Sequence, residues 1–547
     1  MRSAACIQAA QMQEEDNCCR VFFRGVYSCH WKLSSNSEGR CAGCWFILVV
    51  LVSLVSLCWM YICLVTFNDQ DEVNWQGFTQ LSLWVNWFML LVIISAVLTS
   101  YCLLLLLFAL FQVALREPLD LHWLHKVLLG FGVLFIFFGV TGISIKWRKE
   151  WPTVPLSLRA TAPFLQFGAV GALTLLSPFV FKGFHAAKAK WSRFFIVAVP
   201  LAVSAGIFLC PLYIQTQCPC LTEQLPKKPD LIGHRGAPML APENTMMSFS
   251  RSIGCGVTAF ETDVQLSKDR VPFLMHDHQP GFLLRTTDVK ERFPDNITSN
   301  SSEFTWEELQ TLNAGDWFLK TDPFRSVSKL SEEDKAMARN QTIPSLLQLL
   351  RLAKQHNISV MFDLYSPDWE NDTEDVVDTI LESGIDPHLV LWLPPAKREY
   401  VKKAAPEFKQ VYKDSERLRN KSGNLNVKYS YDIEEIRKLR KMNVSVNVWV
   451  VNERWLFSLM WCLGVSSVTT NSCHLLKDMR HPDWVMSPQT YTIIWIIVDI
   501  ASVGMMAVLY IIYRKNISFC HRKGTATQQN ALSAMDDKEQ HPFLEKN

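Results

Sequence analysis

The chain has 547 residues, a formal net charge of +2 and a slightly positive mean hydropathy despite 19% charged residues. Near-neutral charge excludes the broad basic surface of a nucleic-acid binder. An average of this kind conceals two populations, very apolar segments and an ordinary globular one.

Residues 1–44 are polar and mixed in charge, unlike a cleaved signal peptide. Cys18 and Cys19 in this segment are candidates for palmitoylation. Apolar stretches follow at 45–67, 86–110, 124–145, 162–182 and 194–214, and a last one at 490–513. Each reaches the ~20 residues that cross ~30 Å of hydrocarbon, and runs such as Phe46–Leu57 leave no polar face for water. This predicts a five-helix membrane region over 45–214, a sixth membrane helix at 490–513 and a tail at 514–547. Apart from Asp499 the spans hold almost no ionisable residues, which argues against a transport pathway.

Basic residues gather in three places: Arg20, Arg24, Lys32 and Arg40; Lys182, Lys188, Lys190 and Arg193; Arg514, Lys515, Arg522 and Lys523. The first loop carries Asp69, Asp71 and Glu72 instead. By the positive-inside rule both termini are cytoplasmic, against the opposing vote of Lys146, Arg148, Lys149 and Arg159. Residues 222–486 are then extracytoplasmic, and the plasma membrane is the expected location. Sequons agree. Asn296, Asn300, Asn340, Asn357, Asn371 and Asn420 are candidate glycosylation sites in this domain, while residues 1–213 contain none. A seventh, Asn443, is expected to be buried because a strand begins there. In that oxidising space Cys462 and Cys473 are the best candidates for a disulfide.

From Asp230 short apolar runs alternate with helical ones. Strands are predicted at 231–234, 258–265, 272–276, 359–364, 389–393, 410–412, 444–451 and 467–470, with helical patterns between them. Alternation of this kind implies a parallel sheet, and eight strands in ~250 residues imply a TIM-type (β/α)8 barrel, with a doubly wound open sheet as the rival. Residues 279–343 break the rhythm and read as an insertion over one mouth of the barrel.

A barrel carries its chemistry at the carboxyl ends of its strands. His234 and Arg235 end the first predicted strand, His276 and Asp277 the third; Asp363 lies near the end of the fourth, Trp449 and Asn452 near the end of a later one. Glu261 and Asp263, two residues apart, share one face of the second. Two neighbouring carboxylates inside a barrel call for a positive partner, and a divalent cation is the economical one.

The blocks Gly233-His-Arg-Gly-Ala-Pro, Ala241-Pro-Glu-Asn-Thr245, Phe260-Glu-Thr-Asp263 and Val271-Pro-Phe-Leu-Met-His-Asp277 resemble the glycerophosphodiester phosphodiesterase family in order and spacing. Ile343-Pro-Ser-Leu and Val448-Trp-Val-Val-Asn452 resemble later blocks, and the flanking helices resemble the multi-pass membrane branch, closest to its glycerophosphoinositol-cleaving type. The resemblance spans roughly 230–480 and implies a TIM barrel with one divalent cation, Ca2+ or Mg2+. It implies Glu261, Asp263 and Asp363 as metal ligands, His234 and His276 as the acid/base pair, Arg235 and Trp449 as substrate-binding residues and Glu243 as a supporting acid. Asp363 stands where the family usually has Glu, and Tyr365 where it often has Lys, which removes a cation from the phosphate pocket. The implied reaction is hydrolysis of glycerophosphoinositol to glycerol and inositol phosphate. The alternatives are cleavage of lipid headgroups or of the anchors of glycosylphosphatidylinositol-anchored proteins, for a barrel held close to the lipid bilayer, and a receptor that binds without turnover.

Overall fold

The computed structural model describes residues 21–539 except 30, 32–41, 66–67, 69–73, 75–76, 78–84, 116, 146–147, 149–150, 188, 215–224, 277–279, 297–299, 367–370, 419–422 and 484. Asp277, Asn420, Cys18, Cys19, Cys218 and Cys220 lie outside the described residues.

Among the described residues six helices are long and apolar enough to cross a membrane. The first five are α1 (Ala42–Val65), α2 (Trp87–Leu115), α3 (Trp123–Ile145), α4 (Thr153–Ala186) and α5 (Lys190–Leu209). The last is Pro488–Glu539, whose apolar part ends at Lys515. Their outward side chains are apolar (Leu175 is 74% exposed, Leu201 69%), a surface that lipid tails cover and water does not. Two pairs of polar side chains inside the bundle bond each other: Trp59 Nε1 donates to Ser95 at 2.9 Å, and Thr174 bonds Ser502 at 2.7 Å.

The helix expected at 162–182 begins earlier, at Thr153. Pro163 and Pro178 do not end it. At 34 residues it is longer than a bilayer needs, and its amino-terminal turns reach both Tyr61 of α1, which bonds Ser157 and Thr161, and the globular domain. There Leu156 joins the core of the globular domain, and α4 packs on the helix α7 (Arg454–Cys462).

Among the described residues the globular domain holds nine strands: β1 (Asp230–His234), β2 (Ala259–Leu266), β3 (Pro272–Leu274), β4 (Ser359–Leu364), β5 (Val390–Trp392), β6 (Lys409–Tyr412), β7 (Asn424–Lys428), β8 (Ser445–Trp449) and β9 (Ser467–Thr470). Eight run parallel in the order β1-β9-β8-β7-β6-β5-β4-β2, and the β1–β2 pairing closes the ring. Closure excludes the open doubly wound sheet. Two strand expectations are corrected. The segment 272–276 is no barrel stave: β3 pairs antiparallel with β2 outside the ring. The missing stave is β7, which alternation of apolar residues did not reveal because Asn424 and Asn426 interrupt it. Asn426 is buried all the same, since its Oδ1 accepts from Asn447 Nδ2 at 2.8 Å on the next strand.

Side chains alternate across the ring. Phe260, Val264 and Phe362 pack outward among the helices, while Ile232, Ala259 and Met361 fill the inside. His234, Glu261, Asp263 and Asp363 share parity with that inner set, so all four belong to the interior face. The insertion 279–343 forms short helices around a small core of its own, including Phe282, Leu283, Phe304 and Ile343.

The disulfide joins Cys255 to Cys473, not Cys462 to Cys473. Nearness in sequence favoured the short loop, whereas folding brings together residues 218 apart. Closing so long a loop restricts the unfolded chain, so Cys255→Ser is expected to cost about 2–5 kcal/mol, read as a lower denaturation midpoint of the barrel. An unchanged midpoint would count against that linkage. Asn443, expected to be buried, is exposed, in left-handed backbone (φ 63°) before β8. Asn296, Asn340, Asn357 and Asn371 are exposed as well, and Asn300 is half-buried.

Candidate active site

At the end of β1 the chain turns through Gly233-His-Arg-Gly236. Arg235 (φ 53°) and Gly236 (φ 87°) both adopt left-handed backbone. A Cβ on Gly236 would lie 2.5 Å from Ser248 Oγ and 2.6 Å from the Ser248 carbonyl carbon, so only glycine fits. The Ala237 N–H donates to Ser248 Oγ at 2.7 Å, and the Ser248 O–H donates to the Arg235 carbonyl at 3.0 Å. Ser248 belongs to helix α6 (Met246–Gly254), which Thr245 caps by accepting from the Ser248 N–H at 3.3 Å. The Pro-Glu-Asn-Thr block is therefore a helix start, and it leaves Glu243 and Asn244 beside the turn.

These residues converge inside the rim. Glu243 accepts from Arg235 Nη1 at 2.8 Å and from Arg285 Nη2 at 2.6 Å. Arg235 Nε lies 3.2 Å from Asp263 Oδ2, which also receives Asn244 Nδ2 at 3.3 Å. Parallel register sets Asp263 beside Asp363, whose Oδ1 accepts from Lys413 Nζ at 2.8 Å. His234 Nδ1 is 2.5 Å from Asn471 Oδ1, and its Nε2 faces Glu261 Oε2 at 3.9 Å. His276 follows β3, and its ring lies 4.7 Å from that of Tyr365 and 5.4 Å from that of Phe282. Two imidazoles, two guanidiniums and a row of carboxylates thus meet at the carboxyl ends of the strands. Trp449, at the end of β8, is 37% exposed at the same rim.

The comparisons with known proteins bear on this arrangement. Residues 234–475 match the Glycerophosphoryl diester phosphodiesterase family. The chain is 41% identical over 522 residues to glycerophosphoinositol inositolphosphodiesterase GDPD2 of Mus musculus, spanning 92% of this chain and 95% of that one. The Homo sapiens GDPD2 is 40% identical over 95% of this chain and 98% of its own. Glycerophosphodiester phosphodiesterase domain-containing protein 5 of Gallus gallus is 38% identical over 89% and 83%. The chain belongs to the glycerophosphoryl diester phosphodiesterase family. It is a glycerophosphodiester phosphodiesterase.

Four contributors to this phosphodiesterase's site carry no sequence motif. Arg285 and Phe282 come from the insertion, and neither sits in a recognisable block. Lys413 follows β6 and returns a cation to the neighbourhood where Tyr365 stands in place of lysine. Asn471 follows β9 directly; the rule that chemistry sits at strand ends was enough to find it.

Electrostatics sort the acids. Burial pushes Glu243 upward, but Arg285 and then Arg235 outweigh it and hold the carboxyl below its ordinary range. Burial and then the Asp263 charge raise Glu261 well above that range. Burial lifts Asp263 to about 6, against the pull of Arg235 and with the push of Asp363. Burial also opposes the Arg235 charge, yet Glu243 and Asp263 keep that guanidinium firmly protonated. Burial and the adjacent Arg235 pull His234 down to about 3, partly offset by its bond to Asn471. Tyr365 is raised by burial and then by Asp263, so its phenol stays neutral.

Among the described residues no three His, Cys, Asp or Glu side chains stand in metal-holding geometry, since Arg235 and Lys413 take carboxylate oxygens of Asp263 and Asp363. The donor chemistry nevertheless fits a hard cation. Glu261, Asp263 and Asp363 are oxygen donors on one face, and one arginine leaves Glu261 and Asp263 still raised.

Proposed function

We propose that this phosphodiesterase hydrolyses glycerophosphoinositol to glycerol and inositol phosphate at the outer face of the membrane, with six crossings, both termini cytoplasmic and the barrel between the fifth and sixth. The observation that carries the substrate is the 41% identity, over 92% of the chain, to a relative whose name states that activity. The Cys255–Cys473 disulfide and the exposed sequons support an oxidising, glycosylating side. The plasma membrane is the corresponding location.

His234 is the general base. Asn471 Oδ1 can only accept, so Nδ1 carries the proton and the Nε2 lone pair faces the interior. The nucleophile is water, which gives its proton to Nε2 and attacks phosphorus, or a neighbouring inositol hydroxyl, which does the same and forms a cyclic inositol phosphate that water then opens. The bond from phosphorus to the glycerol oxygen breaks, and His276 donates the proton that the departing alkoxide needs. Arg235 steadies the developing phosphate charge, and Glu243 holds Arg235 and Arg285 in place for it. Glu261, Asp263 and Asp363 would hold the cation, Ca2+ or Mg2+, and a cation bound there would draw charge from the phosphate oxygens. Trp449 offers an aromatic wall for the polar headgroup.

The test is turnover by the intact chain in membranes or detergent. Glycerol and inositol phosphate are expected as products, and EDTA is expected to reduce the rate by about 100-fold or more, with recovery on adding Ca2+ or Mg2+. Release of free inositol, or full turnover in EDTA, would refute the corresponding part.

One observation favours a second substrate source. The chain after β8, at the chemical rim, bonds Asn68, three residues past the end of α1 at Val65. A mouth that close to the bilayer can receive a lipid headgroup or a glycosylphosphatidylinositol anchor. Cleavage of vesicle-borne phosphatidylinositol faster than the free diester would favour it.

A further inference from the structure

Asn68 belongs to the stretch between the first two membrane helices, yet it is 1% exposed and embedded in the barrel's catalytic rim. Its Nδ2 donates to the Val450 carbonyl at 2.6 Å. Its Oδ1 accepts from the Asn452 N–H at 3.0 Å and the Glu453 N–H at 3.4 Å. Its own carbonyl accepts from Asn452 Nδ2 at 3.0 Å. One asparagine thus supplies the partners that the chain beyond β8 would otherwise take from water or lack.

The consequence reaches the imidazole. With Asn452 Nδ2 committed to Asn68, Asn452 Oδ1 must point the other way, where it accepts from the Asn471 N–H at 2.8 Å. The Asn452 carbonyl meanwhile accepts from Ser472 Oγ at 2.6 Å, so the chain on both sides of Asn471 is held. Asn471 Oδ1 then accepts from His234 Nδ1 at 2.5 Å. Asn68 thus orients the Asn452 amide, Asn452 holds the backbone at Asn471, and the Asn471 side chain meets the His234 ring.

We infer that Asn68 is a positioning residue of the phosphodiesterase reaction, holding His234 through Asn452 and Asn471. This rests on the reading of His234 as the base. A side chain that sets the aim of a catalytic group acts on the chemical step, where a displacement of ~1 Å can cost ~100-fold, and acts little on substrate binding.

The experiment uses the full chain in membranes with glycerophosphoinositol, comparing wild type, Asn68→Ala, Asn68→Asp, Asn471→Ala, the Asn68→Ala/Asn471→Ala pair and His234→Ala. Asn68→Ala is expected to lower kcat by about 10-fold or more while KM moves less than about twofold. Asn68→Asp, which keeps the Oδ1 acceptor and the backbone carbonyl, is expected to recover much of that loss. The double variant is expected to match Asn471→Ala alone, because both substitutions cut one chain of bonds. A wild-type kcat in Asn68→Ala, a change confined to KM, or losses that multiply in the double variant would overturn the proposal. If the alanine variant fails to reach the membrane folded, Asn68→Ser, which also drops the side-chain bonds to Val450 and Asn452 but keeps a small polar side chain, carries the same comparison of kcat with KM. Wild-type turnover by His234→Ala would instead overturn the base assignment, and the proposal with it, which separates the two failures.

Discussion

His234→Ala is expected to lower kcat on glycerophosphoinositol by about 10²–10⁴-fold, with the barrel still folded. The acceptor nitrogen of this ring is defined by a partner: Asn471 takes Nδ1 at 2.5 Å, and Nε2 is turned toward Glu261. Truncation removes the base and the donor to Asn471 Oδ1, while the Asn471 backbone stays held by Asn452 and Glu261 still receives the Arg235 N–H at 3.2 Å. Substrate binding through Arg235 persists, so KM should move far less than kcat. Steady-state kinetics and a melting curve of the same preparation check both halves. A kcat within about threefold of wild type would remove His234 from the base role, since a group worth so little is not moving the proton.

Glu243→Ala is expected to be the most destabilising single change in the rim, by about 3–5 kcal/mol. Glu243 is 8% exposed and bridges two buried guanidiniums, Arg235 and Arg285, the first from the β1 turn and the second from the insertion. Removing it leaves two cations facing each other across a small gap, with Asp263 as the remaining acid on Arg235. Arg285 also packs on the rings of Phe282 and Trp317, each 4.8 Å from its guanidinium carbon, so the insertion should loosen from the barrel as the pair separates. Denaturant unfolding of Glu243→Ala beside Glu243→Gln measures this: the glutamine keeps the shape and one acceptor and should lose less. Equal midpoints for wild type and alanine would show that the two arginines find other partners.

The family blocks were legible because they are contiguous. Gly236 is needed at a left-handed turn against α6, Thr245 caps that helix, and Glu261 and Asp263 need period-two spacing to share a face. Each requirement is local and leaves a mark within a few residues. The strand at 424–428 escaped because its buried polar residue is satisfied by Asn447, a partner on another strand. The antiparallel β3 was taken for a stave because a short buried strand has the same composition whether it closes a ring or pairs beside it.

By itself, then, the sequence determined the six apolar helices, the alternating barrel and the positions of His234, Arg235, Glu243, Glu261, Asp263, His276 and Asp363, all of which follow from periodicity, span length or short motifs. Only the tertiary structure decided that Arg285 and Lys413 supply the site's other cations, that Cys255 rather than Cys462 pairs with Cys473, and that Asn68 reaches the rim. Hydrophobic pattern and backbone conformation act over a turn or a strand and are written locally. A hydrogen bond or ion pair between residues hundreds of positions apart depends on how whole elements pack, and no local pattern encodes it.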